Sequence, residues 1–377
     1  MSGAEAAEVF YAPGRFTRRG AMPRTALWLL QGEGSVSVQD GAAHRRRKEM
    51  FMSLMGPGDI QRLTERFAEE WRARLEKWER QSTAMVLHEE AQAVLCRAVC
   101  AWAGVPLTER EAQKRTREFA AMIDGAGAVG PRNWWGLFLR RRTERWARRF
   151  VEAVRAGSLD VPEGSAAHVI ATHRDRDGDR LDASVAAVEL LNVLRPTVAV
   201  ARFVTFAALA LHEHPACRQQ LRANQADGDD DYLEHFVQEV RRYYAFFPFI
   251  GGHVREPFDW RGHRFTEGTW VLLDLYGTDH DERVWENPEA FRPERFAEGS
   301  EPDAFEFIPQ GGGDHFAGHR CAGEWVTIAL MKAAVRLLTD SMQYDVPAQQ
   351  DLTIPLTRMP TLPKSGFAMR DVRRTPS

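Results

Sequence analysis

The chain has 377 residues, of which 44% are hydrophobic, so it can bury a large core. Its 50 basic and 53 acidic side chains nearly cancel, which gives no general argument for binding nucleic acid or acidic membranes. The cysteines Cys96, Cys100, Cys217 and Cys321 form no CxxC pair and have no disulfide-like spacing, which favours a reducing cytoplasm.

Most of the chain before residue 250 carries helical periodicity, with apolar positions recurring every three or four residues between Arg/Glu-rich outer faces. The stretches 59–80 and 108–123 are examples. Between 252 and 275 the pattern changes to short apolar runs separated by turn residues, which predict small β-hairpins. We therefore expect a mainly α fold with a minor β part.

The longest apolar stretch, 185–211, is interrupted by polar and charged residues that lipid would not tolerate in a single span. It therefore predicts a buried helix and no membrane span. The interruptions are Glu189, Asn192, Arg195, Pro196 and Arg202.

A cluster of arginines marks the segment 140–149. It could dock an acidic partner, but we favour a solvated helix face, because charge runs of this kind are usually exposed to water. The cluster consists of Arg140, Arg141, Arg142, Arg145, Arg148 and Arg149.

The strongest motif is the glycine-rich segment 307–324, FIPQGGGDHFAGHRCAGE, which leads into an apolar-periodic helix over 325–338. Its glycines permit backbone turns and close approaches that side chains would block. The dipole of the following helix favours a thiolate at Cys321. A thiolate held in this way is a strong electron-donating ligand for haem iron, which makes Cys321 a candidate axial ligand.

Three other interpretations of this segment remain open. A single Cys after a glycine-rich loop is compatible with a buried small hydrophobic residue. His315, His319 and Cys321 could hold zinc, although no fourth ligand stands at the usual spacing. A phosphate-binding loop is disfavoured because no Gly-Lys-Ser/Thr follows.

Two further motifs precede this loop. EHFVQEVRRYY places Glu239 and Arg242 three residues apart on one helical face, and FRPERF adds Arg295. Alone, such a pair is commonplace on surfaces and contributes roughly 0.2–0.5 kcal/mol. In this order, the motifs over 239–324 resemble the cytochrome P-450 superfamily. The resemblance implies that Glu239, Arg242 and Arg295 form a buried ion network that fixes the loop of Cys321.

Arg195 and Pro196 stand at the middle of the apolar helix, where most of that superfamily has an acid followed by Thr or Ser. Pro196 removes a backbone donor, so we expect a bend near Asn192 that opens the helix to a ligand. Arg195 projects a permanent cation from an apolar helix, which is costly without an anion. The alternative is that Arg195 pairs with Glu189 or points to the surface.

The Arg-Pro pair, followed by HEHP and LLDLYGTDHD, closely resembles the fatty-acid peroxygenase branch of the superfamily. The resemblance runs from about residue 3 to the end and implies a single haem-thiolate catalytic domain over 1–377. Relatives usually begin roughly 50 residues earlier. We therefore expect a domain truncated at its N-terminus, without the usual first helix and strands, which would expose a sheet edge near 252–275 and lower solubility.

By this resemblance the substrate is a long-chain fatty acid and the oxidant is hydrogen peroxide. The fatty-acid carboxylate would bind Arg195 beside Pro196 and complete the acid–base machinery. The α- and β-carbons would then be within reach, giving 2- or 3-hydroxy acids, or a terminal alkene by decarboxylation. The resemblance also implies haem b as cofactor, with propionates held by His44, Lys48 and His319.

Two positions depart from the branch. Gln31 and Ser37 stand where relatives usually carry Phe and a Gln or His near the iron, and we expect both to line the substrate site. A hydroxyl at position 37 cannot donate a proton as an imidazolium does. We therefore favour hydroxylation over decarboxylation.

Two alternatives to a peroxygenase remain. A dioxygen- and reductase-dependent monooxygenase would need the acid and alcohol that Arg195 and Pro196 replace. An inactive haem- or fatty-acid-binding relative is the alternative outside the enzymes. We expect a cytoplasmic monomer that binds no nucleic acid and requires no redox partner.

Overall fold

The computed structural model describes residues 1–32, 34–81, 83–297 and 302–375. Within these ranges helices dominate and strands are a minor part, which confirms the predicted fold class. The α-helices are α1 (Ala4–Tyr11), α2 (Arg24–Ala26), α3 (Gly41–Met52), α4 (Pro57–Trp78), α5 (Leu87–Trp102), α6 (Glu109–Gly125), α7 (Pro131–Arg155), α8 (Ala166–Thr172), α9 (Ala183–Ala199), α10 (Ala201–Glu213), α11 (Pro215–Ala226), α12 (Asp231–Tyr243), α13 (Leu275–Asp279) and α14 (Glu324–Arg336). Helices α4 and α6 are those predicted over 59–80 and 108–123.

Short antiparallel strands form three small sheets in the described part of the chain, with the orders β1-β3-β6, β2-β8-β7 and β4-β5. The strands are β1 (Phe16–Thr17), β2 (Met85–Val86), β3 (Phe249–Val254), β4 (Phe258–Trp260), β5 (His263–Phe265), β6 (Trp270–Asp274), β7 (Met342–Asp345) and β8 (Ala368–Arg374). The pairs β4–β5 and β3–β6 confirm the hairpins predicted between 252 and 275. Strand β6 lies at a sheet edge, where Trp270 is 50% exposed.

The predicted buried helix consists of α9 and α10, which follow one another along Ala183–Glu213. This segment is long and apolar enough to span a membrane by composition, but 94% of its most apolar window is buried inside the protein. Helix α9 packs on α5, α6, α7 and α8, and α10 packs on α5, α12 and α14. A helix that is apolar on all sides is expected at such a central position.

The hydrogen-bond pattern of this helix is interrupted at Val200, and the bend near Asn192 stays a prediction. Pro196 is inside α9, and the N–H of Val200 donates to the carbonyl of Thr197 (3.2 Å) in a tight turn that ends α9. The helix therefore breaks one turn after the proline.

Two apolar clusters form the core. The larger one includes Trp71 and Trp78 of α4, whose rings meet edge to face 5.3 Å apart, and extends over α9 and α10. The smaller one lies between α1 and the β1-β3-β6 sheet. Ile308 belongs to the smaller cluster and Val326 to the larger one, so the glycine-rich loop runs from one cluster to the other.

The outer face of α7 carries five of the six clustered arginines, which are exposed as predicted. Arg140 is the exception, because it is only 2% exposed. Its Nη1 donates to the carbonyl of Leu29 (2.6 Å), and its Nε pairs with Glu144 (2.7 Å). Residue 140 follows Gly136 by one turn on the inner face of α7. The solvated-face prediction was therefore wrong for this residue.

Candidate active site

Cys321 lies at the end of a loop that closes on itself just before α14. Its N–H donates to the carbonyl of Gln310 (3.0 Å), and its own carbonyl accepts from the N–H of Glu324 (3.3 Å). Gly311 has a φ of +93°, and a Cβ at Gly312 would stand 2.8 Å from a backbone oxygen. Glycine is therefore required at both positions for the loop to present Cys321.

Burial raises the pKa of the Cys321 thiol, and the carboxylate of Glu324 acts in the same direction. The N–H of Gly323 and the ammonium group of Lys48 oppose this change without overcoming it. The predicted stabilisation of the thiolate by the helix is thus outweighed, mainly by burial and secondly by the acid with which α14 begins. A cation bonded to the sulfur would supply the missing stabilisation.

Arg241 clamps the two sides of this loop together. Its Nε donates to Oε1 of Gln310 (3.2 Å), and its Nη2 donates to Glu324. Arg320, the neighbour of Cys321, also pairs with Glu324 (2.6 Å). Although burial acts in the opposite direction, Arg241 and Arg320 lower the pKa of Glu324. The ionised carboxylate therefore holds the loop on both sides of the cysteine.

The three residues of the predicted ion network meet; Glu239 and Arg242 are buried, and Arg295 is partly buried. Arg242 binds Glu239 through Nε (2.7 Å) and Nη2 (2.8 Å), and both side chains are fully buried. Arg295 Nε lies 3.2 Å from the same carboxylate. Arg242 also donates to the carbonyl of Asp279 (3.0 Å), whose carboxylate accepts from the N–H of Ile308 (2.8 Å). The network therefore reaches the start of the cysteine loop through Asp279.

Eight of the predicted site residues line one internal cavity of about 410 Å³, a volume suited to a small-molecule site. Glu239, Arg242 and Arg295 lie outside it, behind the loop. Each residue's role in binding or catalysis stays a prediction. The eight residues are Gln31, Ser37, His44, Lys48, Arg195, Pro196, His319 and Cys321.

The cavity wall is rich in basic side chains, and among the described residues that line it there is no Asp or Glu. Cations are costly to bury unless anions accompany them. Arg320 already pairs with Glu324 (2.6 Å), whereas Arg195 has no carboxylate partner among the described residues, so the cavity favours an anionic occupant. The basic side chains are Arg18, His44, Lys48, Arg195, His319 and Arg320.

The residues predicted to hold propionates gather together. The rings of His44 and His319 face each other with centroids 3.9 Å apart, and Lys48 donates to a backbone carbonyl of the cysteine loop. Burial and the charge of Lys48 lower the pKa of His44 to about 4. Burial and the charge of Arg18 lower the pKa of His319 to about 2. The carboxylate of Asp40 lies 3.9 Å from Nε2 of His319 but does not offset these effects. The two carboxylates of haem b would add counter-ions beside the two imidazoles and Lys48, so this cluster and the thiol of Cys321 fit the cofactor.

Arg195 is buried on α9, and burial together with the nearby Arg140 lowers its pKa well below the usual value. Its Nη2 donates to the carbonyl of Leu30 and to Oδ1 of Asn192 (3.1 Å), while its Nε has no partner among the described residues. No carboxylate of the described chain stands within ion-pair distance of it. Arg195 therefore neither pairs with Glu189 nor points to the surface.

Glu189 pairs with Arg47 instead, at 2.6 Å, and both side chains are buried. Its carboxylate also accepts from the N–H of Val36 (2.8 Å) and from Nδ2 of Asn192 (3.0 Å). The same Nδ2 donates to the carbonyl of Gln31 (3.1 Å). Glu189 and Asn192 thus tie α9 to Val36 and Gln31, which both line the cavity.

Sequence analysis did not identify two residues that contribute to the site, Arg241 and Thr197. Arg241 stands beside Arg242, but an Arg-Arg pair gives no sign of which member faces the loop. Thr197 lines the cavity one residue after Pro196, although its hydroxyl donates back to the carbonyl of Val193 (2.9 Å). An alcohol is therefore present on this helix where the sequence suggested none, engaged within the helix itself.

The zinc interpretation finds no support in the geometry. Across the described ranges no three His, Cys, Asp or Glu side chains are grouped to hold a metal ion. His315 stacks on Trp325 with centroids 4.3 Å apart and lies 3.6 Å from Glu324. It therefore packs against α14, and it does not line the cavity of Cys321.

Similarity to known proteins covers the whole chain. The family model described as Cytochrome P450 matches residues 210–369. The solved structure of Cytochrome P450SP alpha (CYP152B1) in complex with (R)-ibuprophen is 50% identical, covers 99% of this chain and 90% of that chain, and has a TM-score of 0.94. Cytochrome P450EX alpha (CYP152N1) with myristic acid is 44% identical, with 100% and 89% coverage and a TM-score of 0.93.

Curated sequences match over a shorter region. Cytochrome P450 4A7 of Oryctolagus cuniculus is 31% identical over 177 residues, which is 44% of this chain. The chain spans about a third of the length of the curated relatives that it matches, 34% in this case. The two solved structures, in contrast, match along nearly their entire length.

Proposed function

The chain belongs to the cytochrome P450 family, and on that premise we propose that it is a peroxygenase that hydroxylates long-chain fatty acids at the α- or β-carbon with hydrogen peroxide. The cavity wall supports this proposal, because the buried cations Lys48 and Arg195 line it and no carboxylate stands among its described lining residues. An anionic cofactor and an anionic substrate would together balance those charges.

We assign haem b to the part of the cavity that holds Cys321, His44, Lys48 and His319. Cys321 would be the axial thiolate, and the other three would bind the propionates. When bound, the thiolate-ligated haem supplies the chemistry that activates peroxide and inserts oxygen. The buried thiol gives up its proton there in spite of its raised pKa, because a bonded cation favours the thiolate.

We assign the substrate carboxylate to Arg195. Leu30 and Asn192 fix the guanidinium through Nη2, which leaves its other donors for a bidentate, charge-assisted pair. Both similar structures contain an acid, (R)-ibuprophen or myristic acid. Since the described wall offers no Asp or Glu, the substrate carboxylate itself would hold and release the proton during peroxide cleavage. Anchoring this group keeps the first carbons of the chain near the reacting centre.

The rest of the wall suits an acyl chain. Each methylene buried there contributes about 0.8 kcal/mol, so affinity is expected to rise with chain length until the cavity is filled. Pro196, Gln31 and Ser37 complete the substrate wall around Arg195. The apolar lining includes Phe51, Met55, Leu63, Trp102, Ile123, Phe203 and Phe246.

Turnover of palmitic acid by the haem-loaded protein tests the proposal, after a ferrous carbon monoxide spectrum has established thiolate ligation. With hydrogen peroxide alone, we expect 2- or 3-hydroxypalmitic acid by mass spectrometry. Methyl palmitate and hexadecane should give no product, because they lack the carboxylate. Turnover with NADPH and a reductase but not with peroxide would contradict the proposal and favour a dioxygen-dependent monooxygenase. Absence of turnover under both conditions would indicate a binding protein.

A further inference from the structure

Large hydrophobic side chains are exposed together at the start of α7 and just before it. Val129 is 90% exposed, Trp134 66%, Trp135 57% and Phe138 53%. The rings of Trp135 and Phe138 stack 5.6 Å apart, so at least these two form one continuous surface. We call these four residues the aromatic patch. Contiguous exposed apolar surface of this kind marks an interaction site.

Exposed arginines continue the same face of α7. Positions 134, 138, 141, 145 and 148 follow one another at intervals of three or four residues, which places them along one stripe of the helix. Arg142 lies 3.5 Å from Glu118, and Arg148 lies 2.9 Å from Glu152. For Arg141, Arg145 and Arg149 the described residues provide no carboxylate within 4.0 Å. The chain therefore carries a local positive surface despite its net charge of −3. Arg142 and Arg149 lie beside this row on the same exposed side of α7, and we call all five arginines, Arg141, Arg142, Arg145, Arg148 and Arg149, the basic stripe.

The aromatic end of α7 lies close to the substrate wall. A Cβ at Gly136, between Trp135 and Phe138 along the helix, would stand 3.1 Å from Cδ2 of Leu29. Leu29 belongs to the π-helical segment Leu27–Gln31, whose last two residues line the cavity. One layer of chain therefore separates this part of α7 from the cavity.

We propose that the outer face of α7 docks on an anionic lipid surface, with the aromatic patch at the headgroup level and the basic stripe on the lipid phosphates. Aromatic and basic side chains that share one helix face are typical of helices that lie in a membrane interface. Each arginine near an anionic surface adds electrostatic attraction. Long-chain fatty acids partition into such surfaces, so docking would bring the cavity to its substrate.

A second copy of the chain fits this face less well. A symmetric pair of molecules would bring two basic stripes together, and like charges repel. An anionic lipid surface instead complements the stripe and accepts the aromatic rings. This docking goes beyond the proposed enzymatic function and does not depend on turnover.

Flotation with vesicles tests the docking. The haem-loaded protein is mixed with vesicles of phosphatidylcholine, or of phosphatidylcholine and phosphatidylglycerol in equal parts, and no fatty acid is added. We expect the protein to float with the anionic vesicles and to remain in the dense fractions with the neutral ones. At about 1 M salt, where the screening length is about 3 Å, flotation should weaken. Failure to float with anionic vesicles would overturn the proposal.

Two double variants locate the surface. Trp134→Ser with Phe138→Ser, and Arg141→Glu with Arg145→Glu, should each lower the partition coefficient onto anionic vesicles at least about tenfold. The matched control is Arg66→Glu with Arg72→Glu on exposed positions of α4, which changes the net charge equally and should float like the wild type.

Equal flotation of the wild type and both α7 variants would overturn the proposal, as would an equal loss in the α4 control. A wild-type dimer in size-exclusion chromatography that Trp134→Ser with Phe138→Ser converts to a monomer would identify a second copy as the occupant, and so overturn it too. Turnover of dissolved palmitic acid is measured in parallel. A protein that binds vesicles as expected without turnover would refute the proposed function and support the docking.

Discussion

Arg140 and Arg195, from two different helices, donate hydrogen bonds to the carbonyl oxygens of two successive residues, Leu29 and Leu30. Arg140 Nη1 lies 2.6 Å from the first oxygen, and Arg195 Nη2 binds the second. Both guanidinium groups are buried, and the charge of Arg140 contributes to the lowered pKa of Arg195. The segment that forms one wall of the cavity is therefore held by two cations, and only one of them lines the cavity itself.

Replacing Arg140 by Leu is expected to loosen that wall. The change leaves the carbonyl of Leu29 and the carboxylate of Glu144 without their donor, which should lower the free energy of unfolding by about 1–3 kcal/mol. Because the segment that orients Arg195 loses one support, KM for the fatty acid should rise more than kcat falls. Urea unfolding and steady-state kinetics measure both effects. Arg141→Leu, at an exposed neighbouring position, is the control, and equal KM values for the two variants would contradict this role.

Replacing Arg195 by Ala should remove the anchor for the substrate carboxylate. Truncating one partner of a buried charged pair costs about 2–5 kcal/mol, so kcat/KM for peroxide-driven hydroxylation of palmitic acid should fall between about thirtyfold and several thousandfold. Arg195→Lys keeps the charge but loses the fork of donors, and its activity should be intermediate. The ferrous carbon monoxide spectrum serves as the control for haem loading. Unchanged turnover in Arg195→Ala would refute the assignment of this residue.

Breaking the buried ion network should prevent haem incorporation. Glu239→Ala or Arg242→Ala leaves an uncompensated buried charge, at a cost of about 3–5 kcal/mol, in the network that reaches the cysteine loop. On the same helix, Glu234→Ala breaks a partly exposed pair with Lys332 (3.0 Å), which should cost only about 0–1 kcal/mol. The ratio of haem to protein absorbance after purification measures the outcome. A normal haem spectrum in Glu239→Ala would show that the network is dispensable.

Much of the site could be predicted because its residues stand in sequence motifs whose residue types and spacing indicate their chemistry. Cys321 follows a loop that only glycines can form, and Glu239 and Arg242 share a face at helical spacing. Arg195 is a cation in an apolar helix, so a site that needs an anion was the natural expectation. The structure brings eight of these residues, from separate segments, to one cavity.

The parts that were not predicted depend on tertiary surroundings. A run of arginines does not by itself reveal that Arg140 alone turns inward, because the tertiary packing of α7 decides which of its residues are buried. At Cys321, burial outweighs the helix dipole, and no local pattern reports burial.

His88 makes the stability of the protein depend on pH. It is buried on α5, with Nδ1 3.3 Å from Oγ1 of Thr205, and burial and the charge of Arg202 lower its pKa from 6.5 to about 3. Below pH 6.5 the unfolded chain binds a proton that the folded chain does not, so the stability contributed by His88 is complete above that pH and is lost progressively down to about pH 3. In His88→Gln the decline should be shallower. Urea unfolding at about pH 7 and about pH 5 measures the difference, and identical slopes for both proteins would contradict the prediction.

Ser37 is expected to determine which product forms once the carboxylate is bound. It lines the cavity from the short 3-10 turn Val36–Val38. A serine hydroxyl does not become charged near neutral pH, whereas an imidazole with an ordinary pKa near 6.5 can hold a proton and donate it. The wild type should therefore give mainly 2- or 3-hydroxy acids, and Ser37→His should raise the share of terminal alkene. Ser37→Ala removes the hydroxyl without adding an imidazole and should keep the wild-type ratio. Gas chromatography measures the ratio of 1-alkene to hydroxy acids in each variant. A wild-type enzyme that yields mostly 1-alkene would show that proton donation at position 37 does not control which product forms.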